Sequence, residues 1–153
     1  MLTGSFDPIT RGHMDIIERA ARLCDRLLVT MLVNPDKEYF FTVEERLSFI
    51  NDCVSDLRGV EAVYYDGYAC DIAKEMNVDF FVRGMRGAND FEYEKQVAAV
   101  YKEMSGIDTL FLIAEKGMEE MSSTDIRNKL KEGKDIKDIS DIVPEKILQR
   151  ILL

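Results

Sequence analysis

Four short apolar runs, rich in β-branched and aromatic residues, are spaced along the chain. Their length and composition predict strands that are buried on both faces of a sheet. The predicted strands span Leu27 to Val33, Val60 to Tyr65, Val78 to Val82 and Thr109 to Ile113. A further strand is expected before Gly4, where only Met1, Leu2 and Thr3 remain, and its shortness is consistent with the loss of a few N-terminal residues.

Segments with helical periodicity separate the predicted strands. Thr42 and Glu45 form the capping-box pattern that marks a helix N-terminus. In the first predicted helix the apolar residues Met14, Ile17, Ala21 and Cys24 share one face, with Ile16, Ala20 and Leu23 beside them. The other helices are predicted from about Ala69 to Met76, from about Phe91 to Met104, from Ser122 to a stop at Gly133, and from Pro144 to about Leu152.

Alternation of strands and helices predicts right-handed βαβ crossovers, and therefore a parallel sheet covered by helices on both faces. The chain has 153 residues and no internal repeat or linker-like stretch, so we expect a single domain over residues 1–153. The predicted fold class is α/β, with a Rossmann-like, doubly wound parallel sheet. Ligands of such folds bind at the carboxyl ends of the strands, where the strand order reverses.

Charge and composition exclude several classes of partner. The formal net charge is −9, and an acidic body repels nucleic-acid phosphates, so no nucleic-acid partner is expected. No apolar run approaches the roughly 20 residues that span a bilayer, and no basic leader opens the sequence. We therefore expect a cytoplasmic protein with no membrane partner. Cys24, Cys53 and Cys70 form no CxxC pair and are expected to be buried core thiols; with one histidine, no protein-bound metal is predicted.

The segment GSFDPITRGH, from Gly4 to His13, carries the strongest chemical signal. It follows a strand end and opens a helix, where unpaired N–H groups and the positive end of the helix dipole attract anions. Gly4 allows close backbone approach, Ser5 offers a hydroxyl and an N–H group, and Asp7-Pro8 indicates a turn. A plain turn with an ordinary surface or capping histidine is the alternative, but it does not explain so many functional residue types within ten positions.

A second signal is the segment RGMRGANDFEYE, which begins where the predicted strand over Val78 to Val82 ends. The guanidinium groups of Arg83 and Arg86 match phosphate oxygens bidentately, and few other cations surround them in this acidic chain. The alternative is that these arginines form ion pairs with Asp90, Glu92 or Glu94.

Two weaker signals follow other predicted strands, one after Thr109 to Ile113 and one after Leu27 to Val33. Ser122, Ser123 and Thr124 place hydroxyl groups at a helix start, where they suit either phosphate binding or simple N-capping, or both together. Lys37 follows the first long strand in the segment NPDKEYF, and a lysine in a charged loop carries little information by itself.

Together these segments resemble the nucleotidyltransferase superfamily marked by a T/HxGH motif, present here as Thr10-Arg11-Gly12-His13. The similarity is closest to the bacterial phosphopantetheine adenylyltransferases and extends over nearly the whole chain, through GSFDPITRGH, NPDK, FTVEER, RGMRGANDFEYE and SSTDIR. The resemblance implies adenylyl transfer from MgATP to 4′-phosphopantetheine by direct in-line attack, and a homohexamer. It also implies that His13, Lys37 and Arg86 stabilise the transition state.

The resemblance further assigns the contacts with both substrates. The acceptor contacts it implies are Ser5, Lys37, Ala69 and Arg83. The ATP contacts it implies are Gly4, Ser5, His13, Gly84, Met85, Arg86, Glu94, Met118, Glu119, Glu120, Met121, Ser122, Ser123 and Thr124. The chain departs from the usual pattern at Met118, where an aromatic residue is common, and at Tyr101-Lys102, where Asn-Arg is common.

Three rival functions remain open at this stage. A cytidylyltransferase or a nicotinamide mononucleotide adenylyltransferase is the nearest, although these often carry a second histidine in place of Thr10. A non-catalytic nucleotide-binding module would be marked by loss of His13 or of the arginines, and neither is lost. A flavoprotein of similar layout is disfavoured because no aromatic-rich flavin clamp is evident.

Overall fold

The computed structural model describes residues 1–152 and, within this range, all side chains except those of residues 88, 89, 136 and 152. The strands are β1 (Leu2–Gly4), β2 (Leu27–Leu32), β3 (Val60–Tyr65), β4 (Phe80–Met85) and β5 (Asp108–Ile113). The helices are α1 (Arg11–Ala20), α2 (Val43–Val54), α3 (Ala69–Glu75), α4 (Ala88–Ser105), α5 (Ser123–Lys131) and α6 (Glu145–Leu148). Single 3-10 turns cover Ile136–Asp138 and Arg150–Leu152.

All strand pairs are parallel, and the spatial order is β3-β2-β1-β4-β5. The short β1 therefore lies in the centre of the sheet, where Leu2 pairs with Val29 on one side and Val82 on the other. The chain runs outward from β1 to β3 and then returns to β4, so the strand order reverses between β1 and β4. The predicted doubly wound α/β fold is confirmed.

Helices cover both faces of the sheet because each face is apolar. The larger core cluster joins α1 and α2 to one face, with Ile17 and Ile50 fully buried. The smaller cluster joins α3 to the other face through Ile72 and Ala73, and Tyr101 of α4 packs against it. This two-sided burial explains why the predicted strands read as continuous apolar runs.

Several element ends differ from those predicted. The strand expected over Val78 to Val82 instead runs from Phe80 to Met85, so Arg83 lies within β4, paired with Phe111 of β5. Helix α1 ends at Ala20, so the expectation that Cys24 continues its apolar face is wrong. The chain leaves the helix there through tight backbone turns, in which Leu23 N–H bonds to Ala20 O at 2.9 Å. Cys53 and Cys70 are buried as predicted, whereas Cys24 is half-buried.

The last helix is also shorter than predicted. Pro144 is the N-cap of α6, which covers only Glu145–Leu148 before the chain tightens into a 3-10 turn. The capping box at Thr42 is confirmed: its side chain accepts the Glu45 N–H, and the Glu45 carboxylate accepts the Thr42 N–H at 2.8 Å.

Candidate active site

A cleft of about 1070 Å³ opens at the carboxyl ends of β1, β2 and β4, at the point where the strand order reverses. Most of the predicted contacts line it: Gly4, Ser5, His13, Lys37, Ala69, Arg83, Gly84, Met85, Arg86, Glu94 and Met118. The structure thus brings together residues from distant parts of the sequence. The remaining predicted contacts, from Glu119 to Thr124, are not part of its wall.

His13 is held by the residue that begins its own helix. Thr10 is the N-cap of α1: its Oγ1 accepts the His13 N–H at 3.1 Å, and its own N–H donates to His13 Nδ1 at 3.0 Å. Because Nδ1 accepts this bond, the neutral imidazole carries its proton on Nε2. The hydrogen bonds therefore assign Nε2–H as a donor for a ligand.

Electrostatics keep this imidazole neutral. Burial of the ring, followed by the positive charges of Arg86 and Arg83, lowers the pKa of His13 from its ordinary 6.5 to about 4. At neutral pH the ring donates a hydrogen bond without carrying a charge of its own. His13 and Arg86 both line this cleft.

The loop between β1 and α1 has an unusual backbone. Phe6 has φ +46°, a left-handed value that non-glycine residues rarely adopt. Its ring fills the space above Gly4, where an added Cβ would lie 3.0 Å from a ring atom, and contacts the His13 ring edge-on at 5.1 Å. Within the described chain, neither the Ser5 nor the Phe6 N–H has a backbone or side-chain acceptor. Two adjacent N–H groups are thus available to an anion.

Asp7 fixes this loop to the segment that follows β2. Its buried carboxylate accepts the Phe40 and Phe41 N–H groups, each at 2.9 Å. Arg127 of α5 donates to the Asp7 carbonyl oxygen at 2.6 Å. The sequence indicated only a turn at Asp7-Pro8. The wider role of Asp7 was missed because its carboxylate partners lie more than thirty residues away along the chain.

The two predicted arginines have different surroundings. Arg83 forms a bidentate ion pair with Glu94, with Nε–Oε2 at 2.5 Å and Nη2–Oε1 at 2.8 Å, and its Nη1 donates to Thr3 Oγ1 at 3.2 Å. The ion-pair alternative therefore holds for Arg83. Arg86 also lines the cleft, and it makes no ion pair with any residue that the structure describes.

Lys37 is presented by a tight turn after β2. Its N–H donates to the Asn34 carbonyl oxygen at 3.1 Å, and the Asn34 side chain accepts the Asp36 N–H at 2.9 Å. Lys37 is exposed and, among the described residues, has no carboxylate within ion-pair distance. Among the described residues that line this cleft, Lys37 and Arg86 are thus the cations without an ion-pair partner.

The hydroxyl groups of the Ser-Ser-Thr segment are used within the protein. Ser122 caps α5 and accepts the Thr124 N–H at 3.1 Å, so the N-capping alternative holds for it. Ser123 donates to the Pro8 carbonyl oxygen at 2.8 Å, and Thr124 accepts a bond from Arg127 at 2.9 Å. Ser123 thus joins this segment to the loop between β1 and α1 (residues 5–10), which we name the phosphate loop, and the nearby Met121 lies close to Gly12.

Two further findings concern metal ligands and membrane-spanning helices in the part of the chain that is described. No group of three His, Cys, Asp or Glu side chains there is arranged to hold a metal ion. None of the described helices is both long enough and apolar enough to cross a membrane.

A doubly wound parallel sheet with backbone donors and cations at its reversal point defines a Rossmann-like nucleotide-binding protein. The family model described as cytidylyltransferase-like matches residues 1–129. A phosphopantetheine adenylyltransferase from Cutibacterium acnes is 42% identical over 144 residues, which cover 94% of this chain and 90% of that protein. One from Clostridium novyi is 39% identical over 150 residues, covering 97% and 91%. The chain belongs to the cytidylyltransferase-like family and, within it, to the phosphopantetheine adenylyltransferases.

A solved structure supports the fold assignment. The nicotinic acid mononucleotide adenylyltransferase of Plasmodium falciparum, complexed with NaAD, matches with a TM-score of 0.65 over 99% of this chain and 94% of its own. The two sequences are 17% identical, so this likeness concerns the fold alone.

Proposed function

We propose that the chain transfers the adenylyl group of MgATP to 4′-phosphopantetheine, forming dephospho-coenzyme A and pyrophosphate. The relatives that cover nearly the whole chain carry the name of this activity. The observation that carries the mechanism is one cleft that holds the Nε2–H of His13, the free N–H groups of Ser5 and Phe6, and the unpaired cations Lys37 and Arg86.

The reaction requires no covalent enzyme intermediate. A phosphate oxygen of 4′-phosphopantetheine attacks the α-phosphorus of ATP, and the bond from that phosphorus to the bridging oxygen of the β-phosphate breaks. Pyrophosphate leaves with the bonding electrons. Such a step depends on positioning and on stabilisation of negative charge, which is what hydrogen-bond donors and cations provide.

His13 donates from Nε2 to an α-phosphate oxygen as charge accumulates there. Because the Thr10 N–H occupies Nδ1, the donor keeps a fixed direction and needs no reorganisation during the reaction. The low pKa keeps the ring in the neutral donor form at physiological pH.

Lys37 and Arg86 stabilise negative charge on different phosphate groups. Lys37 lies on the loop after β2 and lines the cleft, as does Ala69 at the start of α3, and it serves the acceptor phosphate. Arg86 follows β4 and serves the triphosphate. Arg83 and Glu94 line the same cleft as an ion pair. We therefore assign this pair a structural role, which is to fix the shape of the cleft between the two substrates.

Magnesium enters this scheme as part of the MgATP substrate. The described residues offer no cluster of carboxylates that could hold the ion, and one acidic side chain of the cleft, Glu94, is occupied by Arg83. Phosphate oxygens and water suit magnesium as ligands, so an ion carried by the nucleotide fits this cleft.

A pyrophosphate-release assay tests the proposal. The purified chain is offered ATP or CTP, each with 4′-phosphopantetheine, nicotinamide mononucleotide or glycerol phosphate. We expect pyrophosphate only from ATP with 4′-phosphopantetheine, together with dephospho-coenzyme A detected by mass spectrometry. Turnover of CTP with glycerol phosphate, or of ATP with nicotinamide mononucleotide, would instead assign a different acceptor. No turnover with any pair would point to a binding module.

We also propose that the chain works as a single domain within a homohexamer in the cytoplasm. Exposed apolar side chains on α4 and on the edge strand β5 support assembly: Val100, Met104, Leu110 and Ile113. Light scattering should give about six times the chain mass of 17.6 kDa. A mass equal to one chain at micromolar concentration would refute the hexamer and leave the proposed reaction untouched.

A further inference from the structure

Arg46 is a buried cation in contact with two residues of the active-site cleft, Ser5 and Tyr39. It lies on α2 with only 1% of its surface exposed, and it is not among the side chains that line the cleft. Within the described part of the chain, no carboxylate lies within ion-pair distance of it. A charge is costly to bury without an opposite charge, so the contacts that replace a carboxylate need an explanation.

These contacts join three separate segments. Arg46 Nη1 donates to the Ser5 carbonyl oxygen at 2.9 Å, and its Nε donates to the Thr42 carbonyl oxygen at 3.3 Å. The guanidinium carbon lies 3.9 Å from the centre of the Tyr39 ring. One side chain thus holds the phosphate loop, the loop after β2 and the start of α2.

The bond to Ser5 sets the direction of a neighbouring donor. The Ser5 carbonyl and the Phe6 N–H belong to one planar peptide unit and point in opposite directions. Holding the carbonyl towards Arg46 therefore turns the Phe6 N–H away from Arg46, a side chain that does not line the cleft. Phe6 has φ +46°, and such a conformation persists only where surrounding contacts enforce it. The Arg46 bond is one of those contacts.

The stacking on Tyr39 sets the position of a cation. The Tyr39 hydroxyl accepts the Asn34 N–H at 2.7 Å, and the Asn34 carbonyl accepts the Lys37 N–H at 3.1 Å. The ring held by Arg46 therefore anchors the turn that presents Lys37. Both the Phe6 N–H and Lys37 depend on the same guanidinium fork.

We propose that Arg46 is a positioning residue, which aligns the phosphate loop with the Lys37 loop without touching either substrate. The inference rests on the proposed adenylyl transfer. The positioning role requires the planar guanidinium group of arginine. A lysine amine cannot bond to the Ser5 and Thr42 carbonyl oxygens and also lie flat on the Tyr39 ring.

The variant Arg46→Lys keeps the charge and removes the fork. We expect kcat to fall by about 10- to 100-fold, as small misplacements of catalytic groups cause, and the Kd of MgATP measured by calorimetry to rise severalfold. Circular dichroism should show a folded protein at the assay temperature. The matched control is Arg150→Lys, since Arg150 lies 5.1 Å from the Phe49 ring of the same helix and does not line the cleft. It should keep the native kcat.

A double-mutant cycle tests whether the effect passes through Lys37. Arg46→Lys combined with Lys37→Ala should lower kcat by less than the product of the two single losses, because part of the Arg46 effect is the placement of Lys37. If Arg46→Lys does not fold, Tyr39→Leu removes the same anchor of the Lys37 turn and replaces it in the cycle. A folded Arg46→Lys protein with native kcat and native MgATP affinity overturns the proposal.

Failure of the proposed function is separable from failure of this inference. If the native chain binds MgATP but releases no pyrophosphate with any acceptor, the proposed reaction fails. The MgATP affinity of Arg46→Lys then decides the matter alone: weaker binding than native supports the positioning role, and equal binding refutes it.

Discussion

The Thr10 N–H donates to His13 Nδ1 at 3.0 Å, and this single bond gives His13 both a structural and a chemical role. Structurally, it completes the capping box at the start of α1. Chemically, it leaves the proton on Nε2, where the ring can donate to a phosphate. The two roles can be separated by choosing the replacement side chain.

Replacement of His13 by alanine should remove both roles. We expect turnover to fall about 10²–10³-fold, as loss of one oxyanion donor does, and stability to fall by about 1 kcal/mol through loss of the hydrogen bond from the Thr10 N–H to the His13 ring. His13→Gln is the matched variant, since its amide can accept the Thr10 N–H and still offer a donor. It should restore the melting temperature and part of the turnover. Equal, near-native turnover in both variants would exclude His13 from the reaction.

The low pKa of His13 predicts how stability depends on pH. The pKa is about 4 in the folded chain and near 6.5 when unfolded, so the unfolded state binds more protons between these values. The contribution is present above pH 6.5 and is lost as the pH falls towards 4. Urea unfolding across this window should show a shallower decline for His13→Gln than for the native chain. Parallel curves for the two proteins would show that folding does not lower the pKa of His13.

The low pKa of His13 also predicts how kcat/KM depends on pH. Because His13 stays neutral down to about pH 4, kcat/KM should show no His13 ionisation between pH 6 and 8. An inflection near pH 6.5 that disappears in His13→Gln would contradict this expectation.

Variants of Arg86 and Lys37 should separate the effect of charge from that of hydrogen-bond geometry and should show which substrate each cation serves. Arg86→Lys keeps the charge but loses the fork, whereas Arg86→Gln loses both, so turnover should decrease in that order. Lys37→Ala should lower kcat with the acceptor more than it weakens MgATP binding, because Lys37 is assigned to the acceptor. Initial rates at varied concentrations of each substrate provide the measurement. A loss confined to KM would recast these groups as binding residues.

Gly84 is required by the close approach of α1 to β4. An added Cβ would lie 2.9 Å from Ile16 Cγ1, on the helix that carries His13, so Gly84→Ala should cost about 1–3 kcal/mol of stability through overpacking. Gly12→Ala is the stability control: the nearest contact of its Cβ is an ordinary 3.4 Å, and alanine in a helix gains about 0.5–1 kcal/mol over glycine. Thermal melts should therefore shift in opposite directions.

How far the sequence could predict the site depends on how local each interaction is. The capping box at Thr42 involves residues three apart, and the sequence predicted it correctly. The Arg83–Glu94 pair spans eleven residues, and the sequence could offer it only as one alternative among three carboxylates. The bond from Arg46 to Ser5 spans forty-one residues and left no signal in the pattern at all.

Element ends followed the same rule. The strand expected to stop before Arg83 continues to Met85 because Glu94 and Thr3 satisfy the guanidinium and the ladder with β5 continues. A charged residue normally marks the end of a buried strand, and only a partner from another element changes that outcome.

The sequence by itself determined the order of the strands and helices along the chain and the family, since these depend on periodicity and on residues a few positions apart. Only the tertiary structure decided that the three-residue β1 occupies the centre of the sheet, that Arg83 and not Arg86 forms an ion pair within the described part of the chain, and that His13 stays neutral. The physical reason is burial. Pairing, desolvation and the field at an ionisable group arise only when segments distant in sequence pack together, and no local pattern specifies that packing.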